Sequence, residues 1–283
     1  MKLDAIRSMD PRYRLLYWIK ERESIRLLRT SGGAKPWTDD PILQGYRFCN
    51  VRRMDDRVSR WIEDNWYVQH WDHPNMLYAA ALARFFNLPE TLEVIAPYVF
   101  RGAEPLWKEM HRALENYKHA EKGRKVFNGA YMVRGNDGID KIDCVINHYV
   151  LPLRKVTVRG RFLKEDHAAI LTSYGMGSFM AGQIVMDLRW AMGGSWRDRK
   201  RWAPIGPGSL KGMNYVYSRP AKKPISQDQF LEELTELRGW LIERLPPSIH
   251  ERLEAMDYQN CLCEFRAYNE ALMGVKNPKR RYL

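Results

Sequence analysis

The sequence predicts an all-α protein, and three observations carry that expectation. Apolar residues recur at helical rather than strand spacing through most of the 283 residues. Proline and Asx start signals fall where those periodic runs begin. A short glycine-cornered reversal then joins two of the runs between residues 168 and 190. The length suits one large domain or two intimate lobes with a substantial core, and the expectation is one helical unit over 1–283.

Residues 11–30 form an amphipathic helix, with Leu15, Ile19, Ile25 and Leu28 set among Arg and Glu. Helices are predicted over 54–66, 76–87 and 90–100. Asp72-His73-Pro74-Asn75 and Asn87-Leu88-Pro89-Glu90 act as start signals, and Pro89 and Pro97 mark boundaries. A charged amphipathic helix covers 104–122 and ends near Gly123. Residues 138–158 are apolar and partly β-branched, compatible with strand or helix; helix is preferred. Residues 193–224 hold Gly193, Gly194, Gly206, Gly208 and Gly212 with Pro204, Pro207, Pro220 and Pro224. That composition predicts one long functional loop. A helix resumes over 226–244 behind a Ser-Gln-Asp-Gln cap pattern.

The net charge of +12 favours a polyanionic partner. No run of eighteen apolar residues predicts a membrane span, and the N-terminal residues lack the apolar segment of a secretory signal. The expected setting is intracellular, the cytoplasm. Cys49, Cys144, Cys261 and Cys263 suit neither a disulfide framework nor a zinc knuckle. No metal, iron–sulfur cluster or other cofactor is expected, and no membrane partner.

In Leu171-Thr-Ser-Tyr-Gly-Met-Gly-Ser-Phe-Met-Ala-Gly-Gln-Ile-Val-Met-Asp-Leu-Arg189, Gly175 and Gly177 permit a tight reversal. The second helix carries Ala181, Ile184, Val185 and Leu188 inward. Such a hairpin resembles the helix-hairpin-helix of base-excision DNA glycosylases, where N–H groups at the second helix start hold a DNA phosphate. An ordinary helix-turn-helix corner is the plain alternative.

Six blocks stand in order along the chain: Pro36-Trp37-Thr38 with Asp40-Pro41-Ile42-Leu43; Phe48-Cys49-Asn50-Val51 with Arg53, Asp55 and Asp56; Gly129-Ala130-Tyr131; the hairpin; Gly206-Pro207-Gly208-Ser209; and Cys263-Glu264-Phe265. Together they resemble the α-glutamyl/putrescinyl-thymine pyrophosphorylase family, which includes the helical domain of 5-hydroxymethyluracil DNA kinases. The resemblance runs from about residue 18 to residue 282. It implies a divergent helix-hairpin-helix glycosylase-like fold, two packed helical lobes with a cleft, and a partner DNA containing modified bases. Base flipping follows, because a stacked duplex hides the target atom.

The resemblance implies an essential aspartate about twenty residues beyond the hairpin glycine, which points to Asp198. Asp187, one turn past Gln183 on the same helix face, is the rival. Either carboxylate would stabilise charge on the sugar or activate water; a surface salt bridge for Asp198 and a buried pair for Asp187 are the alternatives. Phe179 stands where bifunctional glycosylases place a lysine, so a lyase is not expected. Asn50, Arg53, Asp56, Trp37, Tyr131, Gln183 and Glu264 are candidates for the base pocket, with structural support as the alternative for each. Tyr174, Gly175, Gly177, Ser178, Ser209 and Lys211 are candidates for DNA contact. The Gly-Pro-Gly-Ser segment is no Walker A loop.

The leading expectation is a monofunctional DNA glycosylase that excises a bulky modified pyrimidine and leaves an abasic site, in antiphage defence. Two alternatives stand beside it: a transferase that displaces pyrophosphate from an activated 5-methyl pyrimidine with an amine or amino acid, and a non-catalytic DNA-binding module.

Overall fold

The computed structural model describes residues 3–129, 138–193 and 196–282. Its principal helices, in chain order, are α1 (Pro11–Thr30), α2 (Met76–Phe86), α3 (Pro89–Val99), α4 (Trp107–Ala120), α5 (Leu163–Leu171), α6 (Ser178–Ala191), α7 (Pro207–Val216), α8 (Gln227–Ile242) and α9 (Ala255–Leu272). Among the described residues there is no strand; an isolated antiparallel bridge joins Tyr46 and Arg281. The chain divides into two compact units, a first of Met1–Asp56 with Arg199–Leu283 and a second of Arg57–Asp198.

Helix starts in the first unit follow from local chemistry. Asp10 and Ser226 accept N–H groups of the first turns of α1 and α8. Asp40, fully buried, caps the short helix Pro41–Gly45 through Ile42 N and Leu43 N, and it also takes the hydroxyl of Tyr268 at 2.6 Å. The Asp40-Pro41 pair is therefore a cap and a first-turn proline that tie this helix to α9.

The structure corrects the expectation of one long loop over 193–224, because α7 lies inside it. Gly206 is the N-cap of α7 and Pro207 its first residue, so Gly-Pro-Gly-Ser is a helix start. The glycines serve packing. A Cβ on Gly212 would lie 2.0 Å from the Leu262 carbonyl oxygen, and one on Gly208 would lie 2.2 Å from Cys263 Sγ. Only a bare Cα lets α7 approach α9 this closely.

In the second unit, residues 138–158 form successive helical turns: Lys141–Asp143, a π-helical stretch Cys144–Val150 and a tighter turn Leu151–Lys155. Another π-helical stretch, Glu63–Tyr67, follows the short helix Arg57–Ile62. Both π stretches direct a tyrosine onto the α5–α6 hairpin: Tyr67 bonds Asp187 of α6, and Tyr149 packs against Gly175. Gly175 has φ +74°, and a Cβ there would lie 2.3 Å from the Tyr149 ring. This position needs glycine twice over, for its backbone and for its neighbour.

The packing account predicts opposite effects for two helical glycines. Gly212→Ala should lower stability by about 2 kcal/mol or more, because the methyl meets backbone that cannot move aside. Gly239→Ala in α8, where the added Cβ meets nothing within 4 Å, should raise it by about 1 kcal/mol. Urea unfolding of the two variants measures both.

Candidate functional site

The amphipathic pattern of α1 puts Arg22 on its apolar face with Leu15, Trp18, Ile19 and Ile25, and Arg22 is 1% exposed. Its guanidinium reaches the chain at 48–50: Nη2 donates to the Phe48 carbonyl at 3.1 Å and to Asn50 Oδ1 at 3.2 Å, and Nε donates to the Cys49 carbonyl at 3.3 Å. Nη1 is buried with no acceptor among the described residues.

Helix α9 holds the same segment from its own side. Asp257, Cys261 and Glu264 are spaced i, i+4, i+7 and share a face. Glu264 Oε2 accepts Cys49 N at 2.8 Å, Asp257 Oδ1 accepts Arg53 N at 3.0 Å, and Cys261 Sγ donates to the Val51 carbonyl at 3.5 Å. The segment then turns back on itself: Asp56 Oδ1 accepts Asn50 N at 2.9 Å and Asn50 Nδ2 donates to the Asp55 carbonyl at 2.7 Å. Asp55 is paired with Arg26 and Arg252 at 3.4 and 3.0 Å.

Four candidates named from sequence, Asn50, Arg53, Asp56 and Glu264, are thus assembled in one polar cluster of the first unit. Their roles divide. Both ends of the Asn50 amide are spent on Arg22 and Asp55, so Asn50 fixes the turn. Asp56 is different: desolvation pushes its carboxyl up to about 6, with Glu264 adding to the rise and the Asn50 N–H, Arg53 and Arg22 opposing it. A carboxyl titrating there exchanges protons near neutral pH. Burial also raises the thiols of Cys49, Cys261 and Cys263, the last to about 11. They are thiols at neutral pH, not nucleophilic thiolates.

Other candidates sit elsewhere. Trp37 donates Nε1–H to the Gly33 carbonyl and stands edge-on to Tyr282, 5.7 Å between centroids, rather than lining the Asp56 cluster. Ser209 is fully buried, bonded to Gly206 and Gln259; it braces α7 and offers no DNA contact. Lys211, on α7, is partly exposed. Tyr131 lies outside the described residues. Gln183, 3% exposed on α6, belongs to the core of the second unit.

Both aspartates expected to be catalytic have structural assignments. Asp187 is 0% exposed and accepts from Arg84 Nε and Nη2 at 2.6 and 2.5 Å and from the Tyr67 hydroxyl at 2.6 Å. That is a closed buried ion pair. Asp198 accepts Leu163 N at 2.7 Å and Lys164 N at 3.0 Å, which caps α5. Asp166, 1% exposed, was not anticipated; it receives Arg159 N, Gly160 N and Trp196 Nε1 and ties the turn before α5 to Trp196. The hairpin tip stands in solvent: Tyr174 is 64% exposed, Gly175 and Gly177 are exposed, and Ser178 opens α6. His167 of α5 closes the hairpin on the Ser178 carbonyl at 3.0 Å.

Comparison with known proteins now decides the family. The model of the 5-hmdU DNA kinase helical domain matches residues 11–276. The chain belongs to that family. It is similar to the 5-hmdU DNA kinase of Bacillus phage SP10, at 29% identity over 71% of this chain and 36% of the relative. The chain therefore spans just over a third of that protein's length. No solved structure matches. No helix among the described residues is long and apolar enough to cross a membrane, and no group of three or more His, Cys, Asp or Glu among them is placed to hold a metal ion.

Two predictions test the assignments. Asp187→Asn should cost about 3–5 kcal/mol of stability by leaving Arg84 buried without its counter-charge; a melting curve like that of the wild type would contradict the pairing. For Asp56 the folded value lies above the ordinary 3.8, so between about pH 4 and 6 the folded chain keeps a proton that the unfolded chain has released. Its contribution to stability is full below that window and lost as pH rises through about 6. Asp56→Asn, which still accepts the Asn50 N–H, should flatten the stability profile in that window and be more stable than wild type at pH 8.

Proposed function

We propose that this chain acts on a 5-substituted pyrimidine of DNA, with Asp56 as the proton acceptor at the substituent and Glu264 beside it. The observation that carries this reading is the convergence of Asp56, raised to about 6, with Glu264 and the unsatisfied Arg22 Nη1. Three of these groups' neighbours, Cys49, Asn50 and Arg53, come from the Phe-Cys-Asn-Val block, and Glu264 from the Cys-Glu-Phe block. A pyrimidine edge presents both donors and acceptors, which carboxylates with a spare oxygen and an open guanidinium N–H complement. The family and the phage relative suggest a phosphoryl transfer: the oxygen of a 5-hydroxymethyl group attacks the terminal phosphorus of a nucleoside triphosphate, the bond from that phosphorus to its bridging oxygen breaks to release the diphosphate, and a carboxylate near pKa 6 accepts the hydroxyl proton at neutral pH. A triphosphate donor would be held by groups other than a P-loop, because this sequence carries no Walker A pattern.

The hairpin of the second unit supports a DNA grip. First-turn N–H groups of a helix have no intrahelical acceptors, and α6 starts at an exposed corner preceded by exposed Arg154, Lys155, Arg159, Arg161 and Lys164. Phosphate is the anion such a corner accepts. The same feature favours a second reading, excision of the base by a helix-hairpin-helix glycosylase-like chain, for which an extruded base is equally required.

Products separate the readings. DNA bearing 5-hydroxymethyluracil is incubated with the protein and a nucleoside triphosphate, then treated with alkali and analysed by mass spectrometry. Intact strands with a heavier nucleoside are expected; free base with alkali-labile strands would establish excision instead. Asp56→Asn and Glu264→Gln should each reduce turnover by about 100-fold, while Asp198→Asn, a capping change, should leave it within a few-fold. Unaltered DNA under every condition, with binding retained, would sink the enzymatic reading.

A further inference from the structure

Most of the positive charge of the chain falls in the first unit, and part of it crowds one place. The C-terminal segment returns to the chain at 45–47: Arg47 N bonds the Arg280 carbonyl at 2.9 Å, Tyr282 N bonds the Gly45 carbonyl at 3.2 Å, and Arg281 bridges Tyr46. This return sets the Tyr282 ring among three cations. Arg29, Lys35 and Arg47 lie 5.8, 5.7 and 5.8 Å from its centroid. Arg29 and Lys35 also face the Trp37 ring at 5.2 and 5.4 Å, and Arg281 faces Tyr46 at 5.5 Å.

Cations that share one ring lie within about 12 Å of each other and repel, and exposed cation–π contacts return only about 0.5–1 kcal/mol each. Among the described residues none of Arg29, Arg47 and Arg281 pairs with a carboxylate, and all three are exposed. The Tyr282 hydroxyl is buried in this group without a hydrogen-bond partner among the described residues. A crowded cation group with interleaved aromatic rings, whose Arg29, Arg47 and Arg281 have no carboxylate partner among the described residues, is complementary to a phosphodiester strand, whose charges neutralise the arginines and whose bases stack on the rings. Arg280, on the same segment, is close enough to act electrostatically on Cys49 in the Asp56 cluster. The patch therefore borders the candidate site within one unit. Residues 279–282 lie beyond the span matched by the family model.

We infer that Arg29, Lys35, Arg47 and Arg281, with Trp37 and Tyr282, form a phosphate-binding surface for the DNA strand that enters the Asp56 cluster. The inference rests on the DNA reading above, and the test keeps the two apart. Binding of a fluorescent duplex carrying one 5-hydroxymethyluracil is followed by anisotropy across a range of salt concentrations. The proteins compared are the wild type, the triple variant R29Q/R47Q/R281Q and a control, K20Q/K222Q/K223Q, that removes equal charge from other exposed positions of the same unit. The patch variant should bind at least about tenfold more weakly at 0.1 M salt, and its slope of log affinity on log salt should be shallower by about 2. The control should show the smaller, nonspecific loss. Single R29Q, R47Q and R281Q variants should each lower the slope by about 0.7–0.9, which keeps the test open if the triple variant unfolds. Equal losses in patch and control variants would overturn the surface while leaving the DNA reading intact. A wild type with no affinity for DNA at any salt would overturn both.

Discussion

The backbone contact between α7 and α9 is the constraint on which the first unit depends. Gly208 and Gly212 let α7 lie against Leu262 and Cys263 at a distance that no side chain would permit. Helical periodicity does the rest. Gln259, Leu262 and Cys263 occupy one side of α9 and meet α7, while Asp257, Cys261, Glu264 and Tyr268 occupy the opposite side. That opposite side receives the main chain at 49–53 and the buried Asp40. One helix thus packs with one face and organises a polar cluster with the other. Fixing its position with glycine contacts fixes where Glu264 stands relative to Asp56.

Carboxylates do different work in the second unit. Asp187, Asp166 and Asp198 are committed to guanidinium, indole and main-chain N–H donors. Each satisfies donors that would be expensive to bury or leave open. The π-helical turns belong to the same scheme, since each places a tyrosine on the α5–α6 hairpin from outside it. The hairpin is braced from within the protein and presents its tip to solvent. Such an arrangement suits a rigid grip on an extended partner, because the tip can be contacted without disturbing its supports.

Much of this was legible in the residues. The helices over 11–30, 76–87, 90–100 and 226–244 were readable from period and caps, because those signals are local. The hairpin was readable from its glycines. Helix α7 was not: Gly and Pro density marks loops on average, and only the opposing residues of α9, fifty positions away, show that Gly212 faces backbone and Gly208 the Cys263 side chain. The structural partners of Asp187 and Asp198, named as catalytic candidates, were hidden for a related reason. A sequence shows an aspartate at a suggestive distance from a motif, but not that Arg84 or the first turn of α5 has already claimed it. Arg22 and Asp257 were missed although a signal existed for Arg22, a charged residue on the apolar stripe of an amphipathic helix. The structure brings Asn50, Asp56 and Glu264 of those blocks together, yet the distinction between a fastened Asn50 and a titrating Asp56 needed the bond partners.

The account finally turns on whether the segment at 48–56, held between α1 and α9, withdraws Asp56 from water next to Glu264. Carbon-13 NMR of the Asp56 side-chain carboxyl, followed across pH in the folded chain, observes that group directly. A midpoint near 6, moving downward when Glu264 is replaced by Gln, is the expected result. A midpoint near 4, indifferent to Glu264, would show an ordinary solvated carboxylate and contradict the site.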